Sequence, residues 1–147
     1  MSKKFNFPKR IDNDVAETGV LFAVKDEYGN DWGSYLIKYF DLTSTRGQLM
    51  IKRVRSRYLQ KIRKGEMTEV ELGKEILITE LISDWKLPKE ITGKANIPYS
   101  HSDAREFFND SDSEWLVETL ISFSKDITNY APVEDAAGEI LDNPVKN

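Results

Sequence analysis

The chain has 147 residues, no cysteine, 39% hydrophobic residues and a formal net charge of −4. That length buries a single core without covalent staples, and the missing cysteine excludes disulfides, thiolate metal sites and thiol catalysis. No apolar run approaches the roughly 18 residues that span a bilayer, and the basic N-terminus lacks the apolar stretch of a secretory signal, so a soluble cytoplasmic protein is expected.

Residues 1–17 alternate charge and polarity without a period and read as an irregular arm, with Phe5 and Phe7 available to dock it. Val20, Phe22 and Val24 then share one face at a spacing of two, as do Tyr35, Ile37 and Tyr39. "DEYGND" between them carries a Gly29-Asn30 turn signal, which predicts a β-hairpin. From Thr43 the period changes. Ile51, Val54, Tyr58 and Ile62 form the apolar stripe of one long helix that Gly65 ends. Thr68 and Glu71 form a capping-box signature for a second helix, which is expected to run on through "EILITELISDW" as the central element, apolar at Ile76, Leu77, Leu81, Ile82 and Trp85. "KLPKEITGKANIP" is a connector punctuated by Pro88, Gly93 and Pro98.

Ser100 and Asp103 suggest the cap of a further helix carrying Ala104, Phe107 and Phe108. Ser111 and Glu114 predict a capping box for the last helix, whose seam is Leu116, Leu120, Phe123, Ile127 and Tyr130. Residues 132–147 read as a flexible tail. The expected fold is α+β, mainly α: one domain over residues 18–131, with an N-terminal β-hairpin packed on about four helices.

Little in the chain points to catalysis. His101 stands beside Ser102 and Asp103, but neighbours on a helix point about 100° apart and cannot relay a proton. "DSDSE" at 110–114 and "DEYGND" lack the twelve-residue calcium loop with its central glycine, so both read as cap and turn chemistry. Gly73-Lys74 has no upstream glycine to make a phosphate loop. No catalytic, cofactor-binding or metal-binding residue is assigned, and a non-enzymatic protein is expected.

The outstanding feature is "MIKRVRSRYLQKIRK", residues 50–64, which contains no acid. Arg53, Arg57 and Lys61 fall at steps of four in one column, flanked by Lys52, Arg55 and Lys64. Like charges at this spacing cost a helix about 0.2–0.5 kcal/mol per pair unless an acid answers them. The acids of residues 100–147, among them Asp103, Glu106, Asp110, Asp112, Glu114 and Glu118, are the candidates within the chain. Otherwise the column is a solvated face or meets acidic surface on a protein partner. A nucleic-acid-associated regulator using the basic helix 46–64 is the alternative, disfavoured by a pI near 5.1 where nucleic-acid domains tend to exceed about 9. Tyr39 and Phe40, at the end of the hairpin, are further candidate partner contacts.

"ITELISDWK", a Gly- and Pro-containing connector, "IPYSHSDAREFFND" and "WLVETLISFSKDITNYA" together resemble the tail assembly chaperones of long-tailed bacteriophages. The family's helix ending in Asp-Trp corresponds to Asp84 and Trp85, its aromatic-Ser cap to Tyr99 and Ser100, and its closing Asn-aromatic pair to Asn129 and Tyr130. The likeness covers about residues 18–131 and brings no catalytic residues. It implies a protein that binds the tape measure protein, keeps it soluble and helps recruit the major tail protein. Such a protein acts in the host cell cytoplasm and is absent from the mature virion. The basic helix and acidic opposite end would also suit head-to-tail self-association.

Overall fold

The computed structural model describes residues 4–132. The fold is α+β and mainly α. Seven α-helices and one three-stranded antiparallel sheet of order β1-β2-β3 lie among the described residues. The expected tail, 132–147, falls outside them apart from Pro132.

The arm is not irregular throughout. Asp12 accepts hydrogen bonds from the Asp14 and Val15 N–H groups and so caps a short helix α1, Asn13–Thr18. What docks this segment is Ala16, which is fully buried, and a bond from the Asp12 N–H to the Tyr130 carbonyl at 2.9 Å. Phe5 and Phe7, expected to anchor the arm, are exposed and stacked on each other.

The hairpin forms as the spacing predicts, with β1 Val20–Lys25 and β2 Asp31–Ile37 paired from Val20↔Ile37 to Val24↔Gly33. Asp26 organises its turn. One carboxylate oxygen accepts the Tyr28 and Asn30 N–H groups, and the other accepts from the Asn30 amide and the Trp32 indole. These bonds, with Trp32 foremost, hold the Asp26 carboxyl at a pKa of about 2. Gly29 supplies the positive φ of +83° that the turn needs. Tyr39 lies beyond the strand.

The long basic helix is interrupted. α2 runs Thr45–Arg57, the chain turns at Tyr58 (φ −114°, ψ 23°), and α3 continues Leu59–Arg63. Ser44 caps α2 by accepting from the Gly47 N–H at 3.0 Å. Gly65 closes α3 in the left-handed region, with the Gly65 and Glu66 N–H groups bonded to the Ile62 and Lys61 carbonyls, a Schellman arrangement.

The central segment departs most from expectation. The Thr68–Glu71 capping box starts α4, Glu69–Ile76, but the chain then widens into one π-helical turn, Leu77–Leu81, and passes directly into a third strand, β3, Ile82–Lys86. Ile82 and Trp85 are three apart, which mimics helical spacing. A bulge at Ser83, between the pairs Ile37↔Ile82 and Leu36↔Asp84, lets both face the core from a strand. The connector holds a four-residue helix α5, Lys89–Thr92. Ser100 caps α6, His101–Asn109, accepting from the Asp103 N–H as expected.

The last helix, α7 Glu114–Lys125, has no Ser111–Glu114 capping box. Asp110 instead caps a 3-10 turn, Ser111–Ser113, that leads into it. α7 ends early, and Ile127–Tyr130 form another 3-10 turn.

One face of the sheet (Val24, Tyr35, Ile37, Ile82, Trp85) packs with Val54, Leu72, Leu77, Phe108, Leu116 and Leu120 into a single core. Its buried aromatics tie their polar tips to backbone carbonyls. Trp85 Nε1 donates to Ile97, and the Tyr99, Tyr35 and Tyr130 hydroxyls donate to Ile78, Trp32 and Ile37. Burial drives the pKa of all three phenols upward, so they stay protonated donors.

Candidate functional site

The basic segment is positioned by one apolar edge. Gly47, Met50 and Val54 are buried at helical spacing, so the rest of α2 faces outward, and α2 packs against α4. Gly47 is required here for contact rather than conformation. A Cβ at this position would lie well inside van der Waals contact with the Asp41 carbonyl oxygen.

Among the described residues, the acids that answer the basic segment come from α4 and the π turn, and not from residues 100–132. Arg53 donates from Nε and Nη2 to one oxygen of Glu80, at 3.0 and 2.7 Å, and Arg57 donates from Nη2 to the other at 3.4 Å. Glu80 has a side chain only 10% exposed, so it sits clamped beneath two guanidinium groups one helical turn apart. Arg55 approaches Glu69 at 3.9 Å with both groups well exposed, a contact worth little.

Lys61 lies past the break at Tyr58, its ammonium 6.0 Å from that ring. Lys52, Lys61 and Lys64 are exposed and make no ion pair within 4.0 Å among the described residues. Beside them a shallow furrow is lined by Leu49, Lys52, Arg53, Ser56 and Arg57, and Leu49 is 46% exposed. What the ridge offers outward is therefore Lys52 beside the solvent-facing Leu49, and further along, on α3 and just past it, the exposed cations Lys61, Arg63 and Lys64. The Arg53–Arg57 pair, central to the expected site, belongs mainly to the fold.

Of the two aromatic candidates, Phe40 is buried in the core, and its N–H bonds the Ser124 carbonyl. Tyr39 is half-buried with its ring 5.1 Å from Tyr130. Phe40 is thus not a partner contact, and Tyr39 retains only a partly open face. His101 is exposed at the start of α6, and Asp110 and Ser113 are engaged in the turn before α7.

A second feature, absent from the sequence reading, lies at the opposite end of the sheet. Trp32 on β2, Trp85 on β3, Leu87, Ile91, Ile97 and Phe107 on α6 form an apolar floor, and Asp103, Glu106, Asp110 and Asp112 line the rim of a cleft of about 390 Å³. None of the lining residues is Lys or Arg. Asp103 and Asp110 spend part of their hydrogen-bonding capacity on the Ser100 hydroxyl and the Asp112 N–H, whereas Glu106 and Asp112 are exposed and have no side-chain partner among the described residues. Such a site suits an aromatic or aliphatic side chain accompanied by a cation. The acids were visible as a cluster around 103–114. The floor was not, because Trp85 reads as helical and Trp32 lies 71 residues before Asp103.

Ridge and cleft are joined through Glu75, which is buried on α4. Its carboxylate accepts from the Tyr58 hydroxyl at the end of α2 (2.7 Å) and from Nε and Nη2 of Arg105 on α6 (2.9 and 3.0 Å). Burial by itself would raise its pKa. The bonds from Arg105 and Tyr58 outweigh that and hold the group below its ordinary value.

No helix among the described residues is long and apolar enough to cross a membrane. Compared with protein-family models, curated proteins and solved structures, the chain has no match.

Proposed function

We propose that the chain is a non-enzymatic tail assembly chaperone of a long-tailed bacteriophage, which covers helical stretches of the tape measure protein and helps recruit the major tail protein. The resemblance of residues 18–131 to such chaperones supplies the class. The observation that carries the binding reading is the outward face of α2–α3, where Lys52, Lys61 and Lys64 have no ion pair among the described residues and Leu49 is exposed. A helical ridge with an exposed leucine followed by cations is suited to lie along an amphipathic helix that bears carboxylates. A long helical protein left uncovered would associate through those same apolar faces.

The test is co-expression with the tape measure protein, followed by co-purification. Lys52→Glu with Lys61→Glu is expected to abolish recovery while leaving the circular dichroism spectrum unchanged. Undiminished recovery with the fold intact would remove the ridge from the binding role. Affinity for random duplex DNA that falls steeply with salt would assign the ridge to nucleic acid instead.

A further inference from the structure

Two exposed features lie outside this binding role: the N-terminal arm and the acidic cleft. Residues 4–10 include Lys4, Phe5, Phe7, Lys9 and Arg10, contain no acid and are exposed throughout. Phe5 and Phe7 are 61% and 78% exposed, with ring centroids 6.0 Å apart, so they pack on each other and not on the body of the protein. An extended segment with two bare aromatic rings between cations has the character of a ligand. The cleft is its chemical complement, with an indole- and phenyl-lined floor, four rim carboxylates and no lining cation.

We propose that the arm of one copy inserts into the cleft of a second copy. A phenylalanine ring seats on the Trp85–Phe107 floor, and Lys4, Lys9 and Arg10 oppose Glu106 and Asp112 at the rim. The arm's root is fixed at the far end of the sheet. Asp12 bonds Tyr130, and the Tyr39 N–H bonds the Ala16 carbonyl just past Ile37, whereas the cleft begins at Trp32. Those two points on β2 are about 17 Å apart at the usual strand rise. None of residues 4–10 lines the cleft, so in this structure the arm lies outside its own cleft. Because the two patches differ, the contact is head-to-tail, and repetition gives a ring or an open chain of copies.

Sedimentation velocity on the full chain tests this between about 10 µM and about 1 mM, the span in which a short arm with two aromatic anchors is expected to bind. The mean mass should rise with concentration and fall again as salt screens the rim. Phe5→Ser/Phe7→Ser and Glu106→Lys/Asp112→Lys should each remain monomeric, with unchanged circular dichroism. These substitutions spare Asp110, which caps the turn before α7, and Asp103, which accepts from the Ser100 cap hydroxyl. An equimolar mixture of the two variants should form a 1:1 heterodimer, because it retains one intact arm and one intact cleft. A wild type that stays monomeric throughout, as it would if the arm folded onto its own cleft, overturns the proposal. So does association that survives either variant, or a mixture that does not pair.

Discussion

The ridge of α2–α3 and the cleft between β3 and α6 carry opposite charge and are built in opposite ways. The ridge is local: its cations follow one another along a single segment and their spacing alone places them outward. The cleft is assembled from β2, β3, α5, α6 and the connector, so no stretch of the chain contains it. Their neutralisation differs as well. Within the ridge, the nearly buried Glu80 engages Arg53 and Arg57, and among the described residues Lys52, Lys61, Arg63 and Lys64 have no ion pair. At the cleft, Glu106 and Asp112 have no side-chain partner among the described residues. A dense run of charge can therefore be structural in part, while a scattered set can be available at its rim.

The two regions depend differently on the core, and substitutions separate them. The largest effect is expected at Gly47, the seat of the ridge. Alanine would improve helix propensity by up to about 1 kcal/mol, but its Cβ drives into the Asp41 carbonyl, and such overpacking costs about 3 kcal/mol or more. The clash wins, and Gly47→Ala should lower the thermal midpoint by roughly 10 °C, read by differential scanning calorimetry.

Next is Glu75, the tie between the regions. Glu75→Gln removes the charge that holds Arg105 and Tyr58 and should cost about 2 kcal/mol by urea unfolding at pH 7, less than a fully buried pair because Arg105 is 38% exposed. The carboxyl's folded pKa lies below its ordinary 4.5, so its contribution is present above that value and disappears as pH falls through the lower folded one. Wild type and variant should accordingly converge in stability at acid pH. A gap that persists there would mean that shape, and not charge, carries the tie.

The smallest effect on folding is expected from Lys52→Glu/Lys61→Glu, within about 0.5 kcal/mol, since neither lysine makes an ion pair within 4.0 Å among the described residues. A larger loss in the urea midpoint would show that the ridge is structural throughout.

Much of this fold is legible from residue spacing. The hairpin, its turn, the Thr68–Glu71 box, the Ser100 cap and the stop at Gly65 are each set by a few neighbouring side chains. What escaped depends on distant partners. β3 exists because its backbone pairs with β2, and the Ser83 bulge disguises its period. Tyr58 ends α2 while its hydroxyl reaches Glu75, 17 residues on. Of the candidate site, the cations were legible and their partner was not. Glu80 sits in a sequence that reads as the interior of a helix, and only the π turn with the packing of α2 brings it to Arg53.

That π turn has a consequence for how the molecule tolerates change. Because Leu77–Leu81 passes into Ile82 with no intervening loop, helix and strand share one rotational phase. Removing a single residue ahead of Glu80 would restore ordinary helical winding, swing Glu80 about 100° from its guanidinium clamp and slip β3 by one, placing Ser83 and Lys86 at the inward positions of Ile82 and Trp85. Length variation should therefore accumulate in the flanking connectors and stop abruptly at this joint.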